Sequence, residues 1–373
     1  MAPRMSQNTD TRPRITGRRI GTGLLDLLAG PAGVDGYLEQ VRPTWTVNEC
    51  RAEVVAVERQ TADSVTLTLK ANRAWEGFLS GQFLQIAVEI DGVRRVRCYS
   101  PTSREGDGRQ LEITVKAHAE GLVSNFLIAN ARPGMVIGLE QASGDFHLPA
   151  QRPDHVLLIS GGSGITPVMS MLRTLCDEGH EGPIDFLHFA PSPDRAIYRA
   201  ELERLAEAHP NLRLVRSYTR AAGSGEADGH FDPARLGELC PGFEAAETFA
   251  CGPTPLLDAV REAWAEKGLE SRLHVESFVP PTLKPSSGVA EGSVHFADSD
   301  LRIENSGASL LEQAEAAGLT PQNGFRMGIC HTCVCRKTAG TVKNLNTGEV
   351  SSGEDEQIQI CVSAPVGDVT VEL

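Results

Sequence analysis

The chain lacks any run of about 18 apolar residues, which excludes a membrane-spanning helix. It is short of basic charge: 35 Lys and Arg stand against 49 Asp and Glu, a net charge of −14. Binding to a phosphate backbone needs a basic footprint, so nucleic acid is not the expected ligand. Cysteine is too sparse for a secreted disulfide scaffold, at nine in 373 residues. No apolar segment follows Arg4, Arg12, Arg14, Arg18 and Arg19, so this basic stretch reads as a solvated arm and not as a secretory signal. A cytoplasmic protein is expected. No internal repeat is visible.

The length exceeds one compact domain, at roughly 100–200 residues per domain. Residues 1–50 combine the basic arm with an amphipathic helical lead-in through Leu24, Leu25, Leu27 and Leu28, broken by Pro31. Residues 51–150 read as many short strands around one short helix, Leu122 to Asn130, which predicts an antiparallel β-barrel. Residues 151–279 alternate apolar strands with helices, which predicts a doubly wound α/β sheet. Residues 280–288, rich in Pro and Ser, read as a linker. Residues 289–373 form a small α+β module. From Gly288 onward there are 12 acidic and 5 basic residues, so a balance of −7 carries half the net charge.

Four motifs carry chemistry. Gly161–Gly162–Ser163–Gly164–Ile165–Thr166–Pro167 follows an apolar strand and opens a helix. There glycines let backbone approach a ligand, and the helix N-terminus offers N–H groups to a phosphate. Arg97 and Tyr99 alternate on one strand face, followed by Ser100, and suit a phosphate and an aromatic ring. Gly121–Leu122–Val123–Ser124 opens the single barrel helix, a position that suits an anion. Cys251–Gly252–Pro253 ends an apolar strand, where open α/β sheets bind ligands.

In order and spacing these motifs resemble the ferredoxin–NADP reductase superfamily over roughly residues 50–280. The resemblance implies that Arg97, Tyr99 and Ser100 bind flavin, with Ser100 near its N5. It implies that Gly121, Val123 and Ser124 hold a flavin pyrophosphate, which favours FAD over FMN, and that Lys116 also contacts the cofactor. Gly161, Gly162, Gly164, Thr166 and Pro167 would take the nicotinamide cofactor's pyrophosphate. Gly252, Pro253 and Phe278 would lie by the nicotinamide, with Cys251 and Glu276 joining Ser100 as catalytic groups. The second strand ends Ala190–Pro191–Ser192 without an acid until Asp194, and Thr219–Arg220 follows the third. A hydroxyl and an Arg there favour NADPH, with NADH the alternative.

Cys330, Cys333, Cys335 and Cys361 lie in the last 44 residues. Residues 324–335, Gly-Phe-Arg-Met-Gly-Ile-Cys-His-Thr-Cys-Val-Cys, resemble plant-type [2Fe–2S] ferredoxins, which use C-x₄-C-x₂-C and a distant fourth cysteine. Cys330, Cys333 and Cys361 match the second, third and fourth metal ligands, and Phe325 stands at the position of the first. Three readings follow: a weakened or absent cluster, replacement by Cys335, or a non-cysteine donor such as His331 or water. The modules together resemble reductases that pass electrons from NAD(P)H through FAD and a [2Fe–2S] centre to a protein acceptor. Such acceptors are di-iron or Rieske oxygenases or membrane fatty-acid desaturases. The alternative is a flavin-only NAD(P)H oxidoreductase.

Overall fold

The computed structural model describes residues 44, 46, 49–119, 121–278, 291–321, 328, 333–345 and 348–373. The arm, the helical lead-in and the linker lie outside them, as do Phe325, Cys330 and His331.

The first sheet comprises β1 (Arg51–Thr61), β2 (Ser64–Ala71), β3 (Leu84–Ile90), β4 (Val93–Tyr99), β5 (Gln110–Lys116) and β6 (Val136–Leu139). Its order is β4-β3-β6-β1-β2-β5, with every pairing antiparallel. A bridge from Pro101 to Ile113 returns the end of β4 to β5 and closes the sheet into a barrel. Val65, Leu67 and Leu69 point into its core with Leu111, Ile113 and Val115. Val123 and Leu127 of the Leu122–Asn130 helix plug that core. Thr66 and Thr114, on the alternate face, are also buried. What covers them comes from the second unit.

That unit is a six-stranded parallel sheet of β7 (Val156–Gly161), β8 (Ile184–Ala190), β9 (Leu212–Tyr218), β10 (Ala227–Asp228), β11 (Glu247–Cys251) and β12 (Leu273–Glu276). The order β10-β9-β8-β7-β11-β12 reverses direction between β7 and β11. Crevices at such reversals are where open α/β sheets bind ligands. The strands are apolar because both faces are covered. The Ile165–Asp177 helix packs on one face, and Leu257, Val260 and Trp264 of the Thr254–Lys267 helix on the other.

A third sheet holds β13 (Ser293–Phe296), β14 (Leu301–Glu304), β15 (Val334–Asn344), β16 (Val350–Ser351), β17 (Glu356–Gln359) and β18 (Ser363–Val371). Only β13 and β18 run parallel. Ser309 and Glu312 form a reciprocal capping box that starts the Leu310–Ala316 helix over this sheet.

Candidate active site

In β4, Arg97 and Tyr99 stand opposite Ile86 and Leu84 and so share one face. Arg97 is exposed, and burial pushes the Tyr99 hydroxyl up to about 12. Ser100 is 2% exposed, yet its Oγ has no hydrogen-bond partner. A buried unpaired hydroxyl costs about 1–3 kcal/mol, a cost that an acceptor or donor on a bound ring relieves. Lys116 ends β5, half-buried. Gly121 occupies the N-cap of the Leu122–Asn130 helix with no side-chain cap, so first-turn N–H groups remain available. Ser124 Oγ donates to the Gly121 carbonyl at 3.2 Å. Val123 spends its side chain on the barrel core, leaving only backbone for a ligand.

The glycine turn meets the Cys251 strand end directly. A Cβ at Gly164 would stand 2.5 Å from the Cys251 carbonyl carbon and 2.7 Å from Gly252 N. At Gly161 it would meet Pro253 Cδ at 2.7 Å. Gly161 and Gly164 are also required by the contact between the two strand ends, beyond any approach of a ligand. Gly162 differs: its φ is +56°, and a Cβ there would face open space. The Ile165–Asp177 helix has no side-chain cap and no acid in its first turn. Thr166 donates to Ser163 O at 3.2 Å, and Pro167 fits within the first turn.

Parallel register sets a row of side chains across the crevice: Glu276 opposite Cys251, Cys251 opposite Ser160, Ser160 opposite His188. Burial pushes the Cys251 thiol up and the Glu276 carboxyl to about 8. Glu276 Oε2 has no partner. Phe278 packs beside the same core. Sequence reasoning missed Ser160 and His188, whose Oγ and Nδ1 lie 2.8 Å apart. Burial brings His188 down to about 4. The available signal was a polar residue closing or interrupting an otherwise apolar strand. Beyond β8 and β9, Thr219 N–H donates to Ala190 O at 3.0 Å and Arg220 N–H to Pro191 O at 2.9 Å. The exposed Arg220 guanidinium has no carboxylate partner among the described residues, and Asp194 accepts from Ser192.

The model of the oxidoreductase FAD-binding domain matches residues 51–148, and that of the oxidoreductase NAD-binding domain matches residues 158–262. A relative named NADPH oxidoreductase, from Mycobacterium tuberculosis, is 36% identical over 97% of this chain and 96% of its own length. The chain belongs to the FAD- and NAD-binding oxidoreductases. The glycine betaine monooxygenase reductase subunit of Chromohalobacter salexigens is 32% identical, over 88% of this oxidoreductase and 96% of its own length. Among solved structures, phthalate dioxygenase reductase shares the fold at 22% identity and a TM-score of 0.58, covering 87% of the oxidoreductase and 97% of its own chain. The enzyme transfers electrons from NAD(P)H, as do relatives that are reductase components of oxygenase systems.

The residues fit FAD and NAD(P)H: Ser100 Oγ and Glu276 Oε2 are buried without partners, and two helix N-termini are uncapped by side chains. In the third sheet the structure brings Cys333 and Cys361 together. A hydrogen bond from Cys361 holds the Cys333 thiol down at about 6. Cys335 instead donates to the Glu372 carbonyl at 2.9 Å, and burial pushes it up to about 11. Among the described residues no group of three or more candidate ligands assembles around a metal position. No described helix is long and apolar enough to cross a membrane.

Proposed function

We propose that this oxidoreductase is the reductase component of an oxygenase system, loading electrons from NADPH onto FAD for delivery to a protein acceptor. The observation that carries this reading is the pair of buried, unpartnered polar atoms, Ser100 Oγ and Glu276 Oε2, each at the motif position expected to face the reacting rings. When bound, the flavin takes two electrons as a hydride and releases them singly. Arg97 and Tyr99 would hold the flavin against β4, and Ser100 would hydrogen-bond at its N5 edge. Gly121, Ser124 and the Val123 backbone would cradle its pyrophosphate, with Lys116 adding positive charge. The uncapped N-terminus at Gly164 would bind the nicotinamide cofactor's pyrophosphate, with Gly161, Gly162, Thr166 and Pro167 shaping the turn. Gly252, Pro253 and Phe278 would border the nicotinamide. Buried Cys251 and a protonated Glu276 keep that end of the crevice free of fixed charge. Thr219 and the unpaired Arg220 would take a 2′-phosphate.

Residues 51–150 and 151–279 form the two cofactor domains in this reading, and 289–373 a ferredoxin-type, β-grasp-like module. Its ligand set does not fit a [2Fe–2S] cluster in full, because Phe325 offers no lone pair and Cys335 is hydrogen-bonded elsewhere. That favours a second reading, in which the flavin alone carries electrons and the module serves docking. Anaerobic titration should show flavin reduction with a lower KM for NADPH than for NADH, and the released flavin should be FAD. A lower KM for NADH would overturn the NADPH assignment, and FMN as the sole flavin would overturn the pyrophosphate turn. Iron should fall below the roughly two atoms per chain of a full cluster and rise in Phe325→Cys. Equal, full loading of both would refute the role given to position 325.

A further inference from the structure

Two residues beyond Ser100, the barrel segment Thr102–Glu105 is gripped by the nicotinamide unit. The Ile165–Asp177 helix turns one stripe toward it, Ser170, Arg173 and Thr174, spaced i, i+3 and i+4. Ser170 Oγ donates to Ser103 O at 2.7 Å. Arg173 Nη1 donates to Thr102 O at 2.8 Å and to Glu112 Oε2 at 2.8 Å. Glu105 N–H donates to Thr174 Oγ1 at 3.1 Å. The Arg173 guanidinium lies 4.9 Å from the centroid of the Tyr198 ring and is fixed from behind by Glu201 at 2.7 Å.

Tyr198 completes the grip. It is 3% exposed, and its hydroxyl donates to Thr102 Oγ1 at 3.0 Å. The same hydroxyl bonds Thr114 and lies 3.2 Å from Thr66 Oγ1, so three barrel hydroxyls converge on it. Tyr198 also holds φ at +59°, a region disfavoured for an aromatic residue and kept only where the surroundings over-determine it. One rigid helix thus carries the glycine turn at its start and the grip on the Ser100 strand in its body.

We infer that Tyr198 and Arg173 are positioning residues that set the nicotinamide against the flavin by locking Thr102–Glu105 to the Ile165–Asp177 helix. This rests on the proposed reductase function. Neither side chain needs to touch a cofactor, because each acts through the strand that presents Ser100. Misplacement by about 1 Å costs reacting rings up to about 100-fold, so loss of one hydroxyl from the lock should be felt at the reduction step.

The test compares the FAD-loaded parent with Tyr198→Phe, which keeps ring and backbone, and with Thr102→Val, which removes the partner from the other side should the first variant fail to fold. Rapid mixing with NADPH should show the limiting flavin-reduction rate lowered about tenfold, a weaker nicotinamide–flavin charge-transfer band, and a Kd for NADPH within about twofold of the parent. Amide exchange at Thr102–Glu105 in the flavin-free protein should accelerate. An unchanged rate and band would overturn the inference even if the melting temperature falls, since packing alone would then explain the contacts. A parent that NADPH does not reduce would overturn the functional reading instead. The lock would then be decided by exchange in the flavin-free protein, supported by faster exchange and overturned by unchanged exchange.

Discussion

At the end of β12 the Glu276 carboxyl titrates near 8 because the fold strips it of water, against about 4.3 for a free glutamate. The folded state therefore holds this proton more tightly than the unfolded chain. The group's favourable contribution to stability is complete below about pH 4 and is lost as pH rises through about 8. Glu276→Gln, neutral throughout, should melt increasingly above the parent as pH is raised from about 5 to about 9. Thermal melts across that range check it, and a pH-independent gap would mean the carboxyl is already ionised in the fold. At this scale Ser100 and Cys251 stand out in the sequence because each sits in a short local pattern, while Glu276 is pointed to by the family resemblance alone; their roles belong to the proposal above. Tyr198 was not legible, because its partners Thr66, Thr102 and Thr114 are scattered along the barrel and each alone reads as an ordinary strand hydroxyl.

Among the elements, β7 and the turn after it show how tightly the crevice is built. Gly164 has an ordinary helical φ of −64°, so its backbone alone does not demand glycine. A methyl group there would collide with the Cys251–Gly252 backbone, which cannot swing aside as a flexible side chain can. Gly164→Ala should therefore cost roughly 1–3 kcal/mol of stability and weaken NADPH binding, while Gly162→Ala faces open space but carries its own left-handed strain of about 1–2 kcal/mol. Denaturant unfolding checks the first loss, and Gly164→Ala unfolding like the parent would contradict it. The strand Val156–Gly161 was legible from its apolar run, and Leu212–Tyr218 from a pattern in which Leu212, Leu214 and Val215 are interleaved with Arg213 and Arg216. The Thr254–Lys267 helix was legible only as part of the general strand–helix alternation and without bounds, because Pro255 falls in its first turn and its five charged residues outnumber its four buried ones.

Across the whole molecule, charge is distributed by unit. Residues 288–373 hold −7 of the −14. If this end meets the electron acceptor, a complementary basic patch would raise the encounter rate, and salt would screen it. Reduction of the true acceptor should slow as ionic strength rises while reduction of the flavin by NADPH does not. A flat salt profile would exclude docking by charge. The barrel and the parallel sheet were legible in that order, since short alternating strands and apolar strand–helix units have different hydrophobic periods. The seating of the barrel on the parallel sheet was not, since its contacts are made by Thr, Ser, Arg and Tyr side chains that composition assigns to solvent.

The hydroxyl cluster around Tyr198 has a consequence for how the chain reaches this state. Tyr198 lies 84 to 132 residues from the three threonines it meets, so the cluster closes only by a long-range contact between the two units. The barrel and the parallel sheet each have an apolar core of their own. Each unit can therefore order around its own core, and the hydroxyl cluster can close only after the parallel-sheet unit has been synthesised.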